Sequence, residues 1–495
     1  MALHSFVFSL LSLSFAASDG GRAFDFGTKS PYPDRHRVTD LSPLDSDGKC
    51  GCKAVHVNAV IRHGTRYPSV KQLDEFETLK SKLRNLSDII NHAQYGWAVT
   101  WEIPIQLTRH TCSLVTDRGL REQFELAQRI SRRLSQLFEK GFSSRSYEFS
   151  STDMERTARS AAAFGIGLFL GSGSLSDCKL DSVPINRTRL NVDNEMRFFD
   201  LCHKYINNVH VEKNNASSER KKFFKGEEMN RLAREISLKL TGNKSDNALL
   251  PYDVVQMSRA CVFESVFSER GESPFCLLFD LDQWEVVSYA MDLKNYWKRS
   301  YGSEINWKMS CPLVRQIYYE MKNYSENKIK GSFRFCHAET VIPLATILNL
   351  FKPSEHLLAS NFAYHRNRQF RISKIAPMSA NLLFVVYDCK QATNKDCQQT
   401  SSNNIYIKLF LNEEETEIPG CTKPTGLCSL DELGQQLYES IYNCRFDEMC
   451  RLGNDDGGSL DHITSWVSGW SGYLIFYISI FMFSFFLIFN FYLIY

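Results

Sequence analysis

Apolar residues along the chain fall into two kinds of pattern. Short, mostly apolar runs at Val55–Ile61, Leu382–Tyr387 and Ile405–Leu411 are rich in β-branched and aromatic residues, which marks strands buried on both faces of a sheet. Elsewhere apolar residues return every three or four positions. Leu73, Phe76, Leu79, Leu83, Leu86 and Ile90 form such a stripe over Lys71–His92. Leu120, Phe124, Ile130, Leu134 and Leu137 form another, capped at Thr116 or Asp117 and running through Phe138. These stripes are core-facing. Further helices are predicted over Lys225–Leu240, Pro251–Phe267, Leu281–Trp297 and Ser310–Tyr324. Strands interleaved with helices predict an α/β body, and the polar, lysine-rich stretch 172–270 reads as a helical cap inserted into it. The body then comprises residues 19–171 and 271–453.

The two ends are patterned differently. Phe6–Ala17 is a short apolar stretch followed by small residues, so residues 1–18 read as a secretory signal peptide. Gly472–Tyr495 is almost wholly apolar, long enough to span a bilayer, and has no Lys or Arg after it. Small residues (Asn454 to Ser459) and a polar spacer precede it, so 454–495 reads as a GPI-attachment signal, with a retained transmembrane tail as the alternative. Either way the body lies outside the cytosol and meets a membrane only through that anchor.

Composition agrees. All 15 cysteines fall between Cys50 and Cys450, which suits an oxidising compartment, and the odd number leaves at least one thiol over. Cys421 with Cys428, Cys444 with Cys450, and Cys261 with Cys276 are candidate bridges. Five glycosylation sequons begin at Asn85, Asn186, Asn215, Asn243 and Asn323. With 58 basic and 56 acidic residues the net charge is +2, so no global field points to nucleic acid and any anion site must be a local concentration of charge. Cys50-Gly51-Cys52 lacks the spacing of a zinc site, and no Asp/His cluster resembles a two-metal centre.

Three junctions carry chemistry. The first strand ends in Arg62-His63-Gly64-Thr65-Arg66-Tyr67-Pro68, where two planar, permanently charged forks bracket an imidazole. The stretch from Tyr147 to Thr157 reads as a short strand leading into a capped helix whose first turn holds Arg156, and such a helix start favours anions. Phe333-Arg334-Phe335-Cys336-His337-Ala338-Glu339-Thr340 is a third strand-to-helix junction, with Pro343 expected in the first helical turn. If the three converge, His63 is a nitrogen nucleophile for phosphorus. Arg62, Arg66, Arg156 and His337 hold the equatorial oxygens, and Glu339 gives and takes the proton. That chemistry needs neither cofactor nor metal.

These residues resemble the histidine acid phosphatases. Arg62 to Pro68 is similar to that family's signature, and Ser150 to Thr157 is similar to its second arginine element. The order His337-Ala338-Glu339, where most of the family has aspartate directly after the histidine, resembles the multiple inositol polyphosphate phosphatase branch. Ser273–Asp280, Ile375–Asn381 and Leu411–Glu413 support the likeness, which runs from about residue 24 to 450. The resemblance implies a histidine-phosphatase-type α/β body with an inserted helical cap. It implies stepwise removal of phosphates from inositol hexakisphosphate and lower forms, with a side activity on 2,3-bisphosphoglycerate. It also implies a substrate contact at Thr65 and, through Thr28-Lys29-Ser30-Pro31-Tyr32, a phosphate contact at Lys29. The competing readings are a general acid phosphatase of broad specificity and an inactive cell-surface binding domain.

Overall fold

The computed structural model describes residues 26–33, 44, 46–47, 51–169, 183–210, 218–267, 273–390, 404–421 and 426–452. The expected signal peptide and C-terminal anchor lie outside these, as do the sequon at Asn215 and the cysteines at 50, 178 and 397. Among the described residues no helix is long and apolar enough to cross a membrane.

Nine strands form one mixed sheet among the described residues: β1 (Ser46–Asp47), β2 (Cys52–Arg62), β3 (Tyr147–Thr152), β4 (Asn186–Thr188), β5 (Gly331–Cys336), β6 (Asn381–Asp388), β7 (Ile405–Leu411), β8 (Glu414–Thr416) and β9 (Cys428–Ser429). The order is β4-β3-β5-β2-β6-β7-β8. Strands β4, β3, β5 and β2 run parallel, while β6, β7 and β8 add antiparallel. Register levels the parallel ends: Arg62 lies beside Cys336, and Ser151 beside Phe335. The turns after β2, β3 and β5 therefore open at one edge, the place where open α/β sheets bind ligands.

Side chains alternate between the two faces. On β6, Leu382, Phe384 and Val386 join one core, and Leu383, Val385 and Tyr387 the other. The second core is closed by the helices Asp117–Arg133 and Glu155–Phe169 through Leu126, Ile130, Phe164 and Leu168. The first is larger and takes in Val70–Arg84, Glu227–Thr241, Pro251–Phe267, Leu281–Arg299 and Ala338–Ile347. Leu281–Arg299 packs on both Ser218–Lys225 and Glu227–Thr241, so helices from either side of residue 270 share that core.

Several helices break where the apolar stripe continues. Lys71–His92 is not one helix: Val70–Arg84 ends, and His92–Val99 begins a second. The helix from Asp117 stops at Arg133, because Leu134 leaves helical geometry (φ −121°, ψ 43°) before Ser135–Phe138 resumes. Gly226 caps Glu227–Thr241, leaving Lys225 at the end of a separate helix. Pro343 sits past the first turn of Ala338–Ile347, inside the helix. It has no N–H to offer the carbonyl of Glu339, four residues earlier.

Five disulfides join described cysteines. Cys261–Cys276 and Cys421–Cys428 pair as the spacing suggested. Cys444 and Cys450 do not: Cys444 bonds Cys311 and Cys450 bonds Cys202, while Cys52 bonds Cys389. Among the described residues Cys112 and Cys336 are free thiols.

Candidate active site

The turn after β2 is held from every side by its backbone. His63 N–H donates to the Cys336 carbonyl at 3.1 Å, and Ser379 N–H donates to the His63 carbonyl at 3.0 Å. Gly64 N–H donates to Ser160 Oγ at 3.1 Å, and Gln123 Nε2 to the Arg62 carbonyl at 3.0 Å. Gly64 itself is required by contact: a Cβ there would lie 2.2 Å from the Gly119 carbonyl oxygen. The loop rests backbone to backbone on the start of the Asp117–Arg133 helix, which Thr116 caps by accepting from Gly119 N–H at 3.0 Å.

His63 is buried, and its Nδ1 lies 2.8 Å from the Gly64 carbonyl. A carbonyl only accepts, so Nδ1 carries the proton and Nε2 keeps its lone pair. Burial, then Arg62, Arg156, His337 and Arg66, hold the imidazole well below its usual pKa. The ring is therefore neutral, which a nucleophile requires.

Around it the three junctions meet. Arg62 donates through Nη1 to the Thr28 carbonyl at 2.7 Å and the Ala376 carbonyl at 2.8 Å; burial and neighbouring cations push its pKa down to about 9. Arg66 donates to the Tyr67 carbonyl, and burial followed by Arg156 lowers it to about 10. The His63 and His337 rings lie 5.7 Å apart. Nδ1 of His337 is 3.2 Å from Arg156 Nη2, and its Nε2 is 2.9 Å from Thr152 Oγ1 and 3.0 Å from Arg197 Nη1. Burial and then Arg156 keep His337 neutral. A neutral ring accepts at one nitrogen only, so one of these two guanidiniums lacks an acceptor here that a phosphate oxygen can supply. Arg62, Arg156, Arg197 and Arg299 each leave a buried Nε without a hydrogen-bond partner among the described residues.

Glu339 lies in the first turn of Ala338–Ile347 and forms an ion pair of 2.7 Å with Arg299. Burial pushes its carboxyl up, but the Arg299 guanidinium first, and that of Arg62, outweigh this and hold it well below the usual range. With these partners it is a carboxylate.

The two remaining sequence candidates part company. Thr65 is buried and turns its hydroxyl onto Glu122 Oε1 at 2.8 Å, into the support of the loop. Lys29 lines a cavity of about 420 Å³ together with Arg66. Burial, then Arg66 and Arg62, lower its pKa well below the usual lysine value. Eight basic side chains line that cavity (Lys29, Arg66, Lys71, Arg220, Lys221, Arg259, Lys294 and Lys298) against one carboxylate, Glu75. Burial and surrounding cations bring Lys294 down to about 7. Arg66 belongs both to this wall and to the His63 cluster, so the cavity adjoins the His63 imidazole.

Sequence reasoning missed Arg197, Arg299 and Glu122. Glu122 accepts from Thr65 N–H at 3.0 Å, the Thr65 hydroxyl and the Ser379 hydroxyl at 2.9 Å. Nothing local marks these three; each meets the site across a long stretch of chain. Among the described residues no three His, Cys, Asp or Glu side chains cluster as metal ligands would.

A neutral, backbone-tethered histidine ringed by guanidiniums at the ends of parallel strands defines a phosphatase of the histidine class. The chain belongs to the histidine phosphatase superfamily (branch 2), whose family pattern matches residues 54–412. Within that class it is similar to multiple inositol polyphosphate phosphatase 1 of Gallus gallus, at 30% identity over 476 residues, covering 92% of this chain and 98% of the relative. The Homo sapiens protein of that description is 29% identical over 463 residues, covering 88% and 90%. Among solved structures, the phytase from D. castellii shares the fold with a TM-score of 0.69 at 17% identity, covering 88% of each chain. Bifidobacterium longum multiple inositol polyphosphate phosphatase, in complex with inositol hexasulfate, gives 0.61 at 16% identity, covering 88% of this chain and 99% of that one.

Proposed function

We propose that this protein removes phosphates stepwise from inositol polyphosphates through a phosphohistidine on His63. The observation that carries the reading is the cation-lined cavity, eight basic side chains to one acid, adjoining a neutral imidazole. A substrate with one phosphate needs only the cluster at His63; a wall of this charge suits several phosphates at once. The Gallus gallus and Homo sapiens relatives, both multiple inositol polyphosphate phosphatases, support the same reading.

In the first step the lone pair on His63 Nε2 attacks phosphorus while the P–O bond to the inositol ester oxygen breaks. Arg62, Arg66, Arg156 and His337 stabilise the equatorial oxygens, joined by Arg197. Protonated Glu339 gives its proton to the departing oxygen. In the second step water attacks the phosphohistidine, Glu339 takes its proton, and phosphate leaves with the P–N bond broken. Because Arg299 and Arg62 hold Glu339 as a carboxylate, its first protonation follows the arrival of substrate charge. A compact substrate with two phosphates, such as 2,3-bisphosphoglycerate, fits the same charge pattern as a side activity.

The protein is further proposed to enter the secretory pathway through residues 1–18, to be glycosylated at Asn85, Asn186 and Asn243, and to be held at the cell surface by a GPI anchor added near 454–459. Five disulfides and the exposure of those three asparagines support this. Release of the protein from intact cells by a phosphatidylinositol-specific phospholipase tests the anchor.

The decisive assay is phosphate release from inositol hexakisphosphate in the presence of a chelator. Sequential loss of several phosphates, abolished in His63→Ala, is the expected result. Release from a simple aryl phosphate alone would replace this reading with a general acid phosphatase.

A further inference from the structure

The Leu281–Arg299 helix faces two places at once. Lys294, Asn295 and Lys298 line the cation-rich cavity, while Arg299, at the end of the same helix, reaches the carboxylate of Glu339. The guanidinium is a bridge between them. Its Nη2 donates to Glu339 Oε1 at 2.7 Å, its Nη1 donates to Asn295 Oδ1 at 2.8 Å, and its buried Nε has no partner among the described residues. Only 14% of the Arg299 side chain is exposed, against 34% for Glu339.

We propose that Arg299 is a positioning residue that holds Glu339 as a carboxylate until a second phosphate group of the substrate draws the guanidinium away. The inference rests on the reading of Glu339 as proton donor and of the substrate as a polyphosphate. It adds a reason for selectivity: the acid is armed only by a substrate with a neighbouring phosphate.

The charges around Glu339 support the division of labour. Arg299 pairs with it directly, Arg62 acts on it from the end of β2, and His337 is its titratable neighbour at the end of β5. Lys29 from the N-terminal segment, Arg66 from the loop after β2 and Arg156 from the Glu155–Phe169 helix act on it through space, as does the Tyr205 hydroxyl. A phosphate on His63 offsets Arg62, Arg66 and Arg156, whichever substrate brings it. Arg299 stays on Glu339 unless another anion competes. A phosphate dianion in the cavity, beside Asn295 and Lys298, offers more acceptor oxygens than the carboxylate and can take the fork from it. Glu339, freed of its ion pair, then takes a proton from solvent and passes it to the leaving oxygen.

The test compares kcat against pH for the intact enzyme on inositol hexakisphosphate, glycerol 2-phosphate and 4-nitrophenyl phosphate. The upper limb reports loss of the protonated acid. It is expected about one pH unit or more higher with inositol hexakisphosphate than with glycerol 2-phosphate. Arg299→Gln should close that gap by raising the glycerol 2-phosphate limb, changing the ratio of the two rates about tenfold, whereas Arg299→Lys should keep it. The activated aryl ester, whose leaving group needs no proton, should change within about twofold. Coincident limbs in the wild type, a gap that survives in Arg299→Gln, or a uniform loss on all three substrates would each overturn the proposal. Failure of the functional reading itself would appear separately, as a wild-type enzyme that does not release several phosphates from inositol hexakisphosphate.

Discussion

Glu122→Ala removes one side chain that ties down three donors next to the reactive histidine. Thr65 N–H and the Ser379 hydroxyl both donate to Oε2, and the Thr65 hydroxyl donates to Oε1. The carboxylate is only 10% exposed, so water is poorly placed to substitute. A buried backbone N–H left unpaired costs about 1–3 kcal/mol and each of the two hydroxyl bonds is worth about 1 kcal/mol, so the loop loses about 3–5 kcal/mol of support. Thr65 is two residues from His63, and that loss falls on the turn that aims the imidazole. If about half of it appears as misplacement of the imidazole, turnover falls between about tenfold and a hundredfold.

Glu122→Gln separates hydrogen bonding from charge. The amide oxygen can accept from Thr65 N–H and Ser379, and its NH2 can donate to the Thr65 hydroxyl, which then serves as acceptor. Turnover should stay near wild type. The pH dependence has a definite sign. Burial raises the Glu122 carboxyl above its unfolded value of 4.5. Its contribution to stability is therefore fully present below that value and lost as pH rises through the raised folded one. Glutamine does not titrate, so Glu122→Gln should gain stability relative to wild type over that window. The assay is kcat on 4-nitrophenyl phosphate, with urea unfolding followed by tryptophan fluorescence across pH. A glutamine variant as impaired as alanine, or an alanine variant with wild-type turnover, would refute the reasoning.

Gly119→Ala should cut turnover and cost about 1–3 kcal/mol, because the added Cβ would lie 2.1 Å from the Thr65 carbonyl oxygen and something in the backbone must shift; unchanged kcat and urea midpoint would show that the loop yields freely. Glu339→Gln should slow alkyl phosphates far more than an activated aryl phosphate, and equal losses on both would remove its role as proton donor. Cys202→Ser breaks a bridge to Cys450 that spans 248 residues, and should cost about 2–5 kcal/mol by non-reducing urea unfolding. No change in the midpoint would mean that packing alone holds the last described helix.

What could be read from the chain depends on what positions each residue. His63, Arg156 and His337 were legible because each is placed by its own neighbours: a strand, a turn and a helix start adjacent in sequence. The parallel register of β2, β5 and β3 then brings those three turns to one edge. Leu134 shows where periodicity misleads. It is fully buried and completes the apolar stripe, yet its backbone breaks the helix, because a stripe reports burial and not hydrogen bonding. Cys444 and Cys450 mislead similarly: the short helix Phe446–Cys450 carries Cys450 to Cys202, whereas Cys421 and Cys428, seven apart, do pair.

Arg299 was hidden for a different reason. It stands beside Lys298 in the last turn of Leu281–Arg299, past the Trp297 at which the predicted helix stops, where a cation merely complements the helix dipole. Only the crossing of that helix against Ala338–Ile347 decides that Arg299 meets Glu339 while Lys298 meets the cavity. Glu122 and Arg197 likewise reach Thr65 and His337 over separations of 57 and 140 residues. The proposed nucleophile and phosphate ligands are thus encoded in local motifs, but the groups that pack around and brace them are encoded in packing. A substitution at Arg299 or Glu122 should accordingly leave every motif in the sequence intact and still change what the site does.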